Sequence, residues 1–172
     1  MSGVSHDMPV IIRPAAEADL PALGRLGALL VRVHHDFDPL RFLPAMPGIE
    51  GFYAEFLGRQ RKLDNAVVLV ADRGGQVVGY AYGAIQGPDY MALRGPAGVL
   101  NDIVVDPGDR GRGIGRQLLD AVMAELKRRG APRVVLSTAE ANGAAQRLFA
   151  RAGFRNTMVE MTAELGENAE PG

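Results

Sequence analysis

The chain has 172 residues, 47% of them hydrophobic, and its 19 Lys and Arg nearly balance 20 Asp and Glu, for a net charge of −1. That length suits one domain with a sizeable core, and the near-neutral balance argues against a general nucleic-acid binder, which needs a large basic excess. Cysteine is absent, which excludes disulfides, thiolate metal sites and a Cys-linked acyl intermediate. No apolar run approaches the ~20 residues of a membrane span, and residues 1–9 lack the apolar stretch of a secretory signal. The expectation is a cytoplasmic protein with one domain over residues 10–165, frayed tails at 1–9 and 166–172, no metal and no membrane contact.

In chain order, residues 10–13 are β-branched, stop at Pro14 and predict a short strand. Asp19 and Pro21 mark a helix start, with Asp as cap and Pro in the first turn. Leu23, Leu26, Leu30 and Val33 then form one apolar stripe at helical spacing. Residues 34–48 contain three prolines and read as a loop. A second helix is expected over 49–63, where Phe52, Tyr53, Phe56 and Leu57 share a side. Strands at 67–71 and 76–85 flank Asp72-Arg73-Gly74-Gly75, a hairpin signature. A loop at 87–98 leads to a strand at 99–106, closed by Pro107. Ile114, Leu118, Val122 and Leu126 step by four and predict a helix over 114–129, ended by Gly130 and Pro132. A strand at 133–137 follows. Asn142 opens a helix that carries Ala145, Leu148, Phe149 and Ala152 and stops at Gly153. The imperfect alternation of 154–165 predicts a last strand or strand pair. The order β-α-α-β-β-β-α-β-α-β implies an α/β domain with a mixed, mostly antiparallel sheet and helices on both faces.

The stretch Asp106-Pro107-Gly108-Asp109-Arg110-Gly111-Arg112-Gly113-Ile114-Gly115 lies between a strand and a strong helix. Glycines let a backbone turn sharply and approach a ligand closely. The unpaired N–H groups and positive dipole end of the helix form a natural seat for a phosphate or pyrophosphate. Arg110, Arg112 and Arg116 add positive charge nearby. A tight turn with arginines facing water is the alternative reading. No Gly-Lys-Ser/Thr follows, which argues against a nucleotide P-loop, and the glycine spacing is not that of a dinucleotide fold.

Arg110-Gly111-Arg112-Gly113-Ile114-Gly115 resembles the Arg/Gln-x-x-Gly-x-Gly/Ala signature of the GNAT superfamily of N-acetyltransferases. Asn142 through Phe154 is similar to the family's second motif, Asn-x-x-Ala-x-x-Leu-Tyr-x-x-x-Gly-Phe, and Ile12-Arg13-Pro14-Ala15 to its first strand. The resemblance covers roughly residues 10–165. It implies the GNAT fold with splayed fourth and fifth strands, acetyl-CoA as donor and an amine of a small molecule or peptide as acceptor. It further implies that the loop Arg110, Gly111, Arg112, Gly113, Ile114 and Gly115, with Arg116, holds the coenzyme pyrophosphate. The open backbone of Ile103, Val104 and Val105 would pair with the pantetheine arm, and Phe149 would lie along the cofactor cleft. Asn142 would hold the cofactor arm or act as a plain helix cap. A homodimer is a further expectation from the family.

The catalytic groups depart from the family pattern. The position of the usual basic Glu is Asn101, and the position of the usual acidic Tyr is Phe149. Asp102 is the nearest carboxylate, either as a base or as a structural partner. Strand residues alternate faces, so Asn101 and Asp102 can share a site only through a bulge. His34, His35, Tyr80, Tyr82, Tyr90 and Glu140 are further candidates. Asp36, Asp38, Glu50 and Asp89 would attract a polyamine or aminoglycoside, or are simply solvated. The competing reading is an acyl-CoA-binding module, a degenerate member with little turnover.

Overall fold

Gly74 and Gly75 both have positive φ (56° and 89°), and the Asp72 carboxylate accepts a 2.7 Å hydrogen bond from the Gly75 amide. This two-residue turn matches the twist of paired strands and joins β2 (Ala66–Arg73) to β3 (Gln76–Gln86), the centre of the sheet. The computed structural model describes residues 8–166. Around that hairpin it places β1 (Val10–Pro14), α1 (Leu20–Phe37), α2 (Ile49–Gln60), β4 (Ala97–Val105), α3 (Ile114–Arg128), β5 (Val134–Leu136) and α4 (Gly143–Arg151), with 3-10 turns at Glu17–Asp19 and Pro107–Asp109. The sheet order is β1-β2-β3-β4-β5. The first three junctions are antiparallel, and β4 and β5 are parallel, connected across α3.

Alternation along β2 sends Val68 and Val70 to one face and Val67, Leu69 and Ala71 to the other. Both faces are covered, so β2 and β3 read as nearly continuous apolar runs. One face packs on α1 and α2 through Leu23, Leu26 and Leu57; the other packs on α3 and α4 through Leu118, Val122, Leu126 and Phe149. The two helices of the first layer touch backbone to side chain: a Cβ at Gly27 would stand 2.2 Å from the Tyr53 ring.

Several expectations are corrected. Helix α1 runs on to Phe37, so His34 and His35 belong to it and not to the following loop. Nothing before Pro39 stops the helix, and Asp38 ends it in an extended conformation. Asp19 precedes α1, but its carboxylate accepts from the Ala16 amide (2.7 Å) and from Arg13 (2.7 and 3.0 Å) instead of capping that helix. Helix α2 stops at Gln60, short of residue 63. Residues 154–165 form no strand; β5 pairs with β4 over three residues only, and Met158, Val159 and Met161 stand exposed. The expected tails fall mainly on residues 1–7 and 167–172, outside the described residues; Met8, Pro9 and Gly166 carry no regular structure.

Candidate active site

The sheet opens where the site lies. β4 meets β5 only from Gly98 to Leu100, against Val134 to Leu136. On its other side β4 pairs with β3, where Tyr82 faces Asp102 but Gly83 faces Leu100. Asn101 is therefore an extra residue, a β-bulge that bends the strand. Beyond it Ile103, Val104 and Val105 are bonded to β3 alone, and their edge toward β5 is open. The splay follows the expectation drawn from the family resemblance; the bulge is the condition under which Asn101 and Asp102 share one site.

Two clefts meet at this opening. One, about 360 Å³, is lined by Asn101, Asp102, Tyr53, Phe42, Arg41 and Phe149 among others. The second, about 310 Å³, runs past Ile103, Val104 and Val105 to Arg110, Gly111, Gly113, Ile114 and Gly115. Leu30, His34, Ile103, Asn142 and Ala145 line both.

The far end of the second cleft is built by the glycine loop. Gly111 and Gly113 have φ of 75° and 79°, which side-chain-bearing residues seldom adopt. Gly113 immediately precedes α3, whose first-turn amides have no carbonyl one turn below them and face outward. A Cβ at Gly111 or Gly113 would meet nothing within 4 Å, so the loop has open space for an anion over its backbone. The buried Arg73–Asp109 ion pair ties the loop to β2, and Arg25 holds Asp106 at 2.6 Å. Of the three arginines only Arg110 lines the cleft, with its Nε on the Val105 carbonyl at 3.2 Å. Arg112 is exposed and stands outside the lining. Arg116 is directed along α3 to Asp120 (2.9 Å) and to the Arg151 carbonyl (3.2 Å), a consequence of its i,i+4 spacing from Asp120. Asn142 acts as the helix cap, its Oδ1 accepting from the Ala145 amide at 3.1 Å, and it lines both clefts.

The first cleft concentrates titratable groups. The Tyr80 hydroxyl donates to Asp102 Oδ2 at 3.0 Å. Burial pushes the Asp102 carboxyl up to about 6, against the Tyr80 hydrogen bond and the nearby His34, which favour the charged form. Burial, helped by the negative charge on Asp102, raises the Tyr53 hydroxyl to about 12 and moves Tyr80 well above its ordinary range. Tyr82 is used elsewhere, donating to Gln60 Oε1 at 3.0 Å, and Tyr90 is exposed. His35 contacts the Phe42 carbonyl, and neither His35 nor Glu140 lines a cleft. Phe149 lines the first cleft and not the second, and its ring packs on Phe154. Asp36, Asp38, Glu50 and Asp89 line neither cleft, so among the described residues Asp102 is the one carboxylate on the wall of the first. Tyr53, Phe42 and Arg41 did not emerge from the sequence as site residues. They come from α2 and the loop after α1, far along the chain, and no local motif marks them.

Comparison with known proteins agrees with this geometry. The model of the acetyltransferase (GNAT) family matches residues 32–154. A mycothiol acetyltransferase from Thermobispora bispora is 38% identical over 98 residues, which cover 57% of this chain and 33% of that protein. The chain thus spans about a third of the length of that relative. A mutant of the BH1408 protein from Bacillus halodurans superposes with a TM-score of 0.76 at 22% identity, over 90% of this chain and 99% of that one. The aminoglycoside N-acetyltransferase AAC(6')-Iy, solved in complex with CoA, gives a TM-score of 0.71 at 19% identity over 94% and 97% of the two chains. Since the family match spans more than half of the 172 residues, the chain belongs to the acetyltransferase (GNAT) family.

Proposed function

We propose that this protein moves the acetyl group of acetyl-CoA to a primary amine of a small molecule or peptide, by direct attack in a ternary complex. The observation that carries the reading is the continuity of two clefts at the β4–β5 splay, with an anion seat at one end and the half-buried Asp102 carboxylate at the other. The donor lies along the second cleft. Its pyrophosphate sits on the loop around Gly111 and Gly113, and its pantetheine amides pair with the open edge of Ile103–Val105. The CoA held by AAC(6')-Iy supports this use of a shared fold. With no cysteine in the chain, the amine itself attacks the thioester.

The acceptor enters the first cleft. Asp102 attracts its ammonium and takes the first proton, a role suited to a carboxyl near 6 that is ionised at neutral pH. One carboxylate in a cleft that also holds Arg41 and several apolar and aromatic side chains fits a single ammonium on an apolar body better than a polycation. The mycothiol and aminoglycoside acetyltransferases set the two ends of the range to be tested. Asn101 and Phe149, in place of Glu and Tyr, favour the second reading: a module that binds acyl-CoA and turns it over little.

Thiol release from acetyl-CoA, followed with phenethylamine, spermidine and kanamycin, separates the two. The transfer reading expects amine-dependent release, fastest with phenethylamine; the binding-module reading expects none. Gly113→Asp places a side chain and a negative charge in the anion seat at a position with φ of 79°. Calorimetry should show acetyl-CoA affinity falling at least about tenfold, as expected from losing a charge-favoured hydrogen-bonding site. Unchanged affinity in a folded variant would place the donor elsewhere.

A further inference from the structure

The acetyl-transfer reading leaves one proton unassigned. Asp102 can take the first proton of the ammonium, but the nitrogen loses a second as the amide forms, and the sulfur needs one as it leaves. The family position for a proton donor to sulfur is Phe149, which has none. His34 reaches the same junction from the opposite face of the sheet. It projects from α1, while Phe149 belongs to α4, and among the described residues His34 is the only ionisable one that lines both clefts.

The ring of His34 is fixed in a defined tautomer. Its Nδ1 lies 2.8 Å from the Leu30 carbonyl, which can only accept, so Nδ1 carries the hydrogen and Nε2 of the neutral ring holds a lone pair. Phe42 and Phe37 pack edge-on against the ring at 5.1 and 6.0 Å between centroids. The other titratable and charged groups around the cleft are Asp102 on β4, Tyr80 on β3, Tyr53 on α2 and Arg41 in the loop after α1. Arg41 is engaged by Glu160, and Tyr80 by Asp102. Asp102 interacts electrostatically with His34 across the cleft.

We propose that His34 relays the second amine proton to the coenzyme sulfur. The neutral amine forms a C–N bond to the thioester carbonyl carbon, and the carbonyl π pair moves to oxygen. Nε2 of His34 takes the remaining excess proton from nitrogen. The C=O bond re-forms, the C–S bond breaks with its pair on sulfur, and His34 returns that proton to the thiolate. The products are the amide and CoA thiol, with one proton released to solvent through Asp102 and His34 neutral again. The same residue serves as base and then acid because it borders both the acceptor and the sulfur.

His34→Asn keeps an N–H donor for the Leu30 carbonyl and removes Nε2. With acetyl-CoA and phenethylamine it should lower kcat at least about 10²-fold, the usual range for a proton-transfer group. KM for the amine and calorimetric affinity for CoA should stay within about threefold. The double variant His34→Asn/Phe149→Tyr restores a hydroxyl to the cleft and should recover at least about tenfold of the lost kcat, with thermal melts confirming both folds. Undiminished kcat in His34→Asn, a loss confined to KM, a parallel loss of CoA affinity, or no recovery in the folded double variant overturns the relay while leaving acetyl transfer standing. Absence of amine-dependent release by the wild type with all three amines overturns both.

Discussion

Asp102 shows how a single residue links site chemistry to stability. Its carboxyl rises from 3.8 to about 6 on folding, because burial disfavours the anion more than the Tyr80 hydrogen bond and His34 favour it. The folded state therefore holds a proton more tightly than the unfolded chain, and stability contributed by this group falls as pH rises from about 4 to about 6. Asp102→Asn should abolish that dependence and be more stable at pH 7 by about 1–3 kcal/mol, read from urea melts between pH 4 and 8. The same variant should lose turnover while keeping CoA affinity. Wild-type activity, which needs the carboxylate, should decline below about pH 6. At this scale the sequence disclosed what the local backbone encodes. Gly111, Gly113 and Asn142 announce themselves through turn and cap chemistry, and Asp102 as the carboxylate of its strand. The partners that set its proton affinity, Tyr80 and His34, come from other strands and helices, and Tyr53 enters the same wall from α2. No spacing rule reaches across those distances.

Among elements, the pairing of α1 with α2 depends on small residues. A Cβ at Gly24 would approach the Glu50 carbonyl oxygen to 2.4 Å, and one at Gly27 would overlap the Tyr53 ring. Gly27→Ala gains about 1 kcal/mol of helix propensity but overpacks a tight contact, which typically costs about 1–3 kcal/mol. We expect a net loss of stability in thermal melts. Because Tyr53 lines the acceptor cleft and not the glycine loop, KM for the amine should rise while CoA affinity holds. At the other layer Arg129 joins the end of α3 to the start of β2, donating to the carbonyls of Asp64 and Ala66 at 2.7 Å each and to Glu125 at 2.8 Å. Arg129→Ala should lower stability by about 1–2 kcal/mol in urea melts, with little effect on KM. Most elements were legible from periodicity and punctuation, α3 above all. Helix α1 outran its expected end because a run of prolines starting at Pro39 drew the loop boundary too early. Residues 154–165 carry strand-like alternation, but a strand needs a partner edge, and alternation alone does not supply one.

For the whole molecule, hydrophobic patterning sufficed to indicate one sheet covered by helices on both faces, since β2 and β3 must be apolar on both sides to separate α1 and α2 from α3 and α4. Donor binding engages β4, α3 and α4 together in the proposed mode, so it should stabilise the entire fold. Acetyl-CoA at about 100 times its Kd adds roughly 2.7 kcal/mol, which should appear as a rise in Tm of about 5–10 °C. Such a shift should be much smaller in Gly113→Asp. The gap between β4 and β5 has one more consequence. Backbone amides of Ile103, Val104 and Val105 that face β3 are shielded in the sheet, whereas those on the open edge have no strand beside them. In deuterated solvent the same short stretch should label at two very different rates, alternate residue by alternate residue. A ligand lying along that edge would slow the fast set and leave the slow set unchanged, so the strand records its occupancy in its own isotope pattern.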